Sequence, residues 1–137
     1  FKVGVFGVGI ELDGLVPKKL YGDIAYQDPI PKANETAAIL KAKGCNLIVC
    51  LSHLGYKYKS NKVSDIKLAQ MSTNIDLILG GHTHTFLGSP QPIMNQERKE
   101  IFINQTGWAG INLGRIDYEH SSSQTTYMHS SNVLNIL

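Results

Sequence analysis

Residues 75–85 read Ile-Asp-Leu-Ile-Leu-Gly-Gly-His-Thr-His-Thr, an apolar run that ends in two glycines and two histidines. Such a run is typical of a buried strand, and glycine lets the backbone turn sharply and approach an ion or a phosphate closely. Because residues two apart in extended backbone point to the same face, we expect the rings of His82 and His84 to face one cleft. Neutral imidazole is the commonest metal ligand in proteins and binds zinc, iron and neighbouring transition metals. The stretch therefore predicts a metal site where a strand ends.

A second apolar run ends in the same way. Residues 47–55 read Leu-Ile-Val-Cys-Leu-Ser-His-Leu-Gly, so that His53 follows a strand and precedes a glycine. Taken alone, His53 has an ordinary interpretation as a hydrogen-bonded residue. Open α/β sheets bind their ligands at the carboxyl ends of strands, so two strands that each end in histidine favour a shared site. His120 and His129 flank a serine run, and we interpret both as solvated surface groups.

Strand and helix patterns alternate over the first 80 residues. Residues 1–9 predict a strand, residues 11–17 a loop, and residues 24–26 a short extended piece. Helices are predicted from the Asp28-Pro29 start signal to Gly44 and from Ser64 to about Ser72. A strand apolar enough to be buried on both faces is predicted at residues 45–52, and the next parallel strand is predicted at residues 75–79. The fold class is therefore α/β, with a βαβαβ order and a parallel sheet.

After residue 85 the pattern changes to turns and short strands. Residues 89–92, Ser-Pro-Gln-Pro, predict a turn. Strands are predicted at residues 100–105, 110–119 and about 125–133. This tail is typical of antiparallel β-structure. We see no internal repeat and no second domain.

Composition and charge exclude several classes of function. The 13 basic and 11 acidic residues are interspersed and give a net charge of +2, which does not favour nucleic-acid binding. No apolar run approaches the ~20 residues of a membrane span. The basic cluster Lys57, Lys59 and Lys62 is the local exception; contact with a phosphate-bearing substrate and a solvated loop both stay open. Since Phe1 already lies inside an apolar strand, we expect a piece of a longer polypeptide.

Five motifs follow one another along nearly the whole chain: Ser52 to Gly55, Ser64-Asp65 with Leu68-Ala69, Asp76 to Thr85, Asn104 to Gly110, and Leu113 to Asp117. In their order and spacing they resemble the motifs of the calcineurin-like metallophosphoesterases, and specifically the C-terminal half of the catalytic domain in the 5′-nucleotidase branch. The resemblance implies two packed β-sheets flanked by helices, with two divalent metal ions at the strand ends. It also implies hydrolysis of nucleotide monophosphates or related phosphate esters.

The resemblance implies ligand roles for three histidines. His53 and His82 resemble ligands of one metal ion, and His84 resembles a ligand of the other. The family's Asp-X-His pair, its bridging aspartate and its Gly-Asn-His motif with the catalytic histidine have no match in residues 1–137, and Glu11 and Asp13 stand in no matching motif. We therefore expect no catalytic residue here, weak metal binding, and little or no hydrolysis by these residues alone. The resemblance leaves the identity of the metal open between zinc, manganese, iron and similar ions.

Partners and location follow from the same resemblance. We expect a nucleotide or other phosphate ester as substrate and the N-terminal half of the same domain as the partner of this segment. An unpaired sheet edge and apolar surface also predict self-association of the segment. A periplasmic or extracellular location is expected from the family alone. The alternative is a non-catalytic metal-binding or interaction module that retains the fold; the intact histidine motifs favour the hydrolase.

Overall fold

The computed structural model describes residues 1–120 and the backbone of two further strands, at 126–129 and 133–135. The chain has the mixed α/β organisation that the sequence predicts. In chain order its elements are β1 (Val3–Val8), α1 (Lys18–Tyr21), α2 (Pro29–Ala42), β2 (Leu47–Ser52), α3 (Asp65–Gln70), β3 (Leu77–Leu79), β4 (Gln91–Met94), β5 (Glu100–Asn104), β6 (Asn112–Gly114), β7 (Asp117–His120), β8 (Thr126–His129) and β9 (Val133–Asn135).

Five strands form the main sheet in the order β1-β2-β3-β5-β4. The strands β1, β2, β3 and β5 are parallel, and β4 runs antiparallel to β5. The parallel β1-α2-β2-α3-β3 part confirms the predicted βαβαβ order. The prediction that residues 100–105 belong to an antiparallel tail is only partly correct. The strand β5 pairs antiparallel with β4, but it also joins the parallel sheet through β3, with Leu77 opposite Phe102.

Other local predictions also need correction. The turn predicted at residues 89–92 overlaps β4, where Pro92 is tolerated because β4 pairs only with β5 among the described strands. The short helix α1 was not predicted, and residues 24–26 form no strand. The strand predicted at residues 110–119 is divided, since β6 pairs with β9 and β7 pairs with β8. These two antiparallel pairs confirm the antiparallel character of the tail. Residues 125 and 130–132 of the last predicted strand lie outside the described residues.

The two longer helices cover one face of the sheet. Asp28 caps α2 by accepting a hydrogen bond from the Ile30 amide at 3.0 Å, and the Ser64 side chain accepts one from the Lys67 amide at the start of α3. Both helices bury small or branched side chains against alternate residues of the strands. The core includes Ala33 and Ala37 of α2, Leu68 and Ala69 of α3, and Ile48, Cys50, Ile78, Ile101 and Ile103 of the sheet.

The opposite face of the sheet is only partly covered. There Leu47, Val49 and Leu77 pack with residues of β5 and of the segment that leads into β7. Nearer to β1 and to the strand ends, several large apolar side chains remain between about one-third and one-half exposed. We call this surface the open face; it consists of Val3, Val5, Leu51, Leu79 and Leu113. Among the helices of the described residues, none has the length and apolar character that crossing a membrane requires.

Candidate metal centre

The loop after β2, which carries His53, and the loop after β3, which carries His82 and His84, leave the sheet at the same edge. We call them the two histidine loops. The neighbouring strands β2 and β3 run parallel, with Leu51 opposite Leu79, so the residues that follow them emerge side by side. The His53 amide donates a hydrogen bond to the Val8 carbonyl at 2.9 Å, which joins this loop to the end of β1 as well. Three strand ends therefore meet at the edge where the sequence places its candidate ligands.

His53 and His82 form a pair. Their ring centroids are 5.3 Å apart, with the rings edge to face. Gly81 makes this approach possible, because a Cβ at position 81 would lie 3.1 Å from His53 Nδ1. Desolvation lowers the pKa of His82, and the nearby charges of His53, Lys62 and His84 lower it further. A lowered pKa favours the neutral imidazole, which is the form that binds metal ions.

His84 faces a different neighbour. Its ring stacks on the indole of Trp108, with centroids 5.8 Å apart and planes 9° apart. The backbone φ angles of His82 and His84 are 68° and 53°, so the expectation of extended backbone at these residues is wrong. In the left-handed region the rule that residues two apart share a face does not apply. Of the three predicted ligands, the structure pairs two and places the third against Trp108.

Two paired histidines alone do not make a complete metal site. Over residues 1–120, no cluster of three or more His, Cys, Asp and Glu side chains is arranged to hold an ion. Bound zinc usually has at least three protein ligands. The chemistry of His53 and His82 fits a divalent transition metal, and the remaining ligands would have to come from other residues.

A buried carboxyl group, which the sequence motifs include without assigning it a role, lies directly behind these loops. Asp65 is completely buried, and its Oδ1 accepts a hydrogen bond from Ser52 Oγ at 2.5 Å. Its Oδ2 has no hydrogen-bond partner among the described residues. Burial raises the pKa of Asp65, while the Ser52 hydrogen bond and the charge of His53 lower it. In the sequence Asp65 looks like an ordinary acidic residue in the first turn of a helix, and only the family motif marks it.

Gln105 is a second residue that the sequence motifs include without assigning it a role. It follows β5 directly and is 2% exposed. Its side-chain amide contacts three residues of the loop after β3: Gly81, Thr83 and Thr85. No pattern in the sequence around Gln105 predicts these contacts, because Gln105 lies at least 20 residues from each partner in the chain.

One lysine of the basic cluster lies near the histidines. Lys62 Nζ lies 5.0 Å from the centroid of the Tyr58 ring, and the Tyr58 hydroxyl donates a hydrogen bond to the Leu54 carbonyl at 2.7 Å. The charge of Lys62 contributes to the lowered pKa of His82. His120 is exposed, as predicted, with its ring 4.5 Å from that of Phe1; the side chain of His129 lies outside the described residues.

Known proteins that the chain resembles are nucleotide phosphoesterases. It is 31% identical over 133 residues to the trifunctional nucleotide phosphoesterase protein YfkN of Bacillus subtilis, a match that covers 96% of this chain and 8% of that protein. It is 30% identical over 73 residues to a snake venom 5′-nucleotidase of Naja atra, covering 53% of this chain and 13% of that protein. No family model matches the sequence.

Solved structures agree with these relatives. A 5′-nucleotidase precursor from Thermus thermophilus superposes with a TM-score of 0.65 and 30% identity, over 80% of this chain and 23% of that one. The calcineurin-like phosphoesterase YfkN of Bacillus subtilis superposes with a TM-score of 0.66 and 25% identity, over 96% of this chain and 43% of that one. The chain belongs to the calcineurin-like phosphoesterases, in the 5′-nucleotidase branch. It spans less than half the length of each of these relatives.

Proposed function

We propose that residues 1–137 supply the C-terminal half of the catalytic domain of a metal-dependent phosphohydrolase. Its substrates are nucleotide monophosphates or related phosphate esters. The observation that carries the proposal is the pairing of His53 and His82 at the carboxyl ends of two parallel strands. Their ring centroids are 5.3 Å apart. The similarity to a nucleotide phosphoesterase and to a 5′-nucleotidase supports the substrate class.

Each functional residue has a distinct role in this proposal. His53 and His82 bind one divalent metal ion, and His84 contributes to a second. Stabilisation of negative charge on the phosphoryl group and activation of water are the chemistry that such ions supply when bound. Lys62 adds positive charge beside His82, which attracts an anionic phosphate to the strand ends. The catalytic histidine and the bridging carboxylate belong to residues outside this segment.

The open face supports the assignment as half of a domain. Val3, Val5 and Leu51 are each about half exposed, and soluble proteins rarely leave large contiguous apolar patches uncovered. Among the described strands, β1 pairs only with β2, so one edge of β1 has unpaired backbone groups. We propose that the rest of the catalytic domain packs against this surface and brings the remaining ligands. Without it, residues 1–137 would self-associate through the same surface, which light scattering on the segment and on its parent protein would detect.

A test compares the complete parent protein with residues 1–137 alone. The parent is expected to release phosphate from AMP in a reaction that EDTA abolishes, while the segment alone releases little or none. His53→Ala and His82→Ala in the parent should remove most of this activity, and His120→Ala serves as the matched control that retains it. Full activity in both loop variants, or EDTA-sensitive hydrolysis by the segment alone, would contradict the proposal.

The same experiment also tests the alternative, in which the segment is a non-catalytic metal-binding or interaction module. The incomplete ligand set of the described residues is the observation in its favour. A parent protein that binds metal ions yet hydrolyses no phosphate ester would support this alternative. A location outside the cytoplasm is also a proposal, supported by the venom 5′-nucleotidase among the relatives.

A further inference from the structure

One buried side chain holds the loop that carries His82 and His84. Gln105 Nε2 donates a hydrogen bond to the Gly81 carbonyl at 2.7 Å, and Oε1 accepts one from Thr83 Oγ1 at 3.1 Å. Oε1 also accepts a hydrogen bond from the Thr85 amide. The amide group of Gln105 therefore contacts every second residue of the loop.

The residues between these contacts are the two histidines. Both His82 and His84 have left-handed backbone, with φ of 68° and 53°. Residues other than glycine rarely adopt this region, and they remain there only where the surrounding structure holds them. The Gln105 contacts lie on both sides of each histidine, so they are placed to hold the two strained residues.

Other hydrogen bonds reinforce the arrangement without replacing it. Thr83 Oγ1 also accepts a hydrogen bond from the Tyr56 amide at 2.9 Å, which joins the two histidine loops. The Gly107 amide donates to the Thr85 carbonyl at 2.9 Å. The Thr83 amide donates to the Gly81 carbonyl at 2.9 Å and so closes a turn around His82. Gln105 provides the only side-chain hydrogen bond to the Gly81 carbonyl among the described residues.

We propose that Gln105 is a positioning residue, which sets the directions of the two histidine rings through the loop backbone. With Gln105 in place, His82 faces His53 and His84 faces Trp108. The role requires a neutral amide, because the same group must donate to the Gly81 carbonyl and accept from the Thr85 amide. The link to metal binding rests on the proposed function, while the backbone effect rests only on the hydrogen bonds.

Two substitutions of Gln105 distinguish the hydrogen bond that it donates from those that it accepts. Gln105→Met has a similar length and makes none of the three hydrogen bonds. Gln105→Glu still accepts from the Thr85 amide, but as a carboxylate it cannot donate to the Gly81 carbonyl. Ile103→Val is the matched control: Ile103 lies two residues earlier and is equally buried, but it belongs to the core under the helices.

The experiment measures backbone geometry and metal affinity in the full chain. In the metal-free chain, NMR couplings between the amide and Hα protons report φ at His82 and His84. Gln105→Met should move both residues out of the left-handed region, and Gln105→Glu should move His82 alone. Titration with Co²⁺, followed by visible absorption, should show affinity lower by about 10- to 100-fold in Gln105→Met, the usual effect of losing a residue that orients a ligand. Ile103→Val should change neither the couplings nor the affinity.

The NMR couplings and the Co²⁺ titration test different parts of the proposal. Unchanged couplings in both Gln105 variants would overturn the positioning role, whatever happens to the affinity. Altered couplings with wild-type Co²⁺ affinity would show that the loop geometry is irrelevant to metal binding and would also overturn it. If the wild-type chain and its parent protein bind no Co²⁺, the proposed function fails, and the couplings still decide whether Gln105 holds the loop.

Discussion

Replacing Gly80 with alanine tests how closely β3 ends against the buried carboxyl group. A Cβ at position 80 would lie 2.3 Å from Asp65 Oδ2 and 3.0 Å from Gln105 Nε2. Carbon atoms in contact normally stay about 3.5 Å or more from their neighbours. Asp65 has little room to retreat, because it is fully buried and hydrogen-bonded to Ser52. The added methyl group must therefore displace either the loop or the carboxyl group.

The size of the effect follows from two opposing contributions. Forcing one extra methyl group into a packed site costs about 1–3 kcal/mol. A glycine-to-alanine change also stabilises the folded state by about 0.4–1 kcal/mol, because alanine leaves the unfolded chain fewer conformations. Gly80 has no positive φ, so no backbone strain is added. We expect Gly80→Ala to lower the free energy of unfolding by about 1–3 kcal/mol, since the clash also disturbs the Ser52–Asp65 hydrogen bond.

Urea unfolding measures this change as a lower midpoint with an unchanged slope. Gly88→Ala is the matched control, because no atom lies within 4 Å of a Cβ at position 88 and its φ is not positive. The control should differ from the wild type by no more than about 1 kcal/mol, in the stabilising direction. Equal midpoints for the two variants would refute the close contact between Gly80 and Asp65.

Two further predictions concern Asp65 and the cap of α2. Burial raises the pKa of Asp65, so the unfolded chain ionises first as pH rises above about 3.9 and the wild type loses stability. An asparagine at position 65 cannot ionise. As pH rises from about 3 to about 7, the free energy of unfolding of Asp65→Asn, measured with urea, should therefore increase relative to that of the wild type. A decrease relative to the wild type would contradict the raised pKa of Asp65. Asp28→Ala removes the hydrogen bond to the Ile30 amide and should cost about 1 kcal/mol in the same assay, whereas Asp23→Ala, on the exposed segment before α2, should cost nothing measurable. An Asp28→Ala variant as stable as the control would show that the cap contributes nothing.

The parallel part of the fold was predictable because its signals are local. Apolar runs marked β2 and β3, and the Asp28-Pro29 and Gly44 signals bounded α2 to within two residues. The meeting of His53 and His82 followed from one general rule, that parallel strands direct their carboxyl ends to the same edge of a sheet. The parallel direction of β5 was not predictable in this way, because the pattern of five residues carries no information about which strand it will join.

The details of the site depended on contacts between distant parts of the chain. The left-handed backbone of His82 and His84 accompanies hydrogen bonds that Gln105 accepts from Thr83 and Thr85, and Gln105 is more than 20 residues away from both histidines in the sequence. Asp65 faces inward because Ser52, on another element, supplies a hydrogen-bond donor. Hydrophobic periodicity and capping signals describe neighbours in sequence, so they could not reveal either arrangement.

In the proposed function, His53, His82 and His84 contribute to one metal-binding region. Mn²⁺ titration of the isotope-labelled chain, followed through the imidazole NMR signals, tests it directly, since paramagnetic broadening decreases steeply with distance and detects even weak binding. The signals of the three loop histidines should broaden together at low Mn²⁺, while that of His120, exposed beside Phe1, stays sharp. Equal broadening of all four signals, or earlier broadening of His120, would contradict the account.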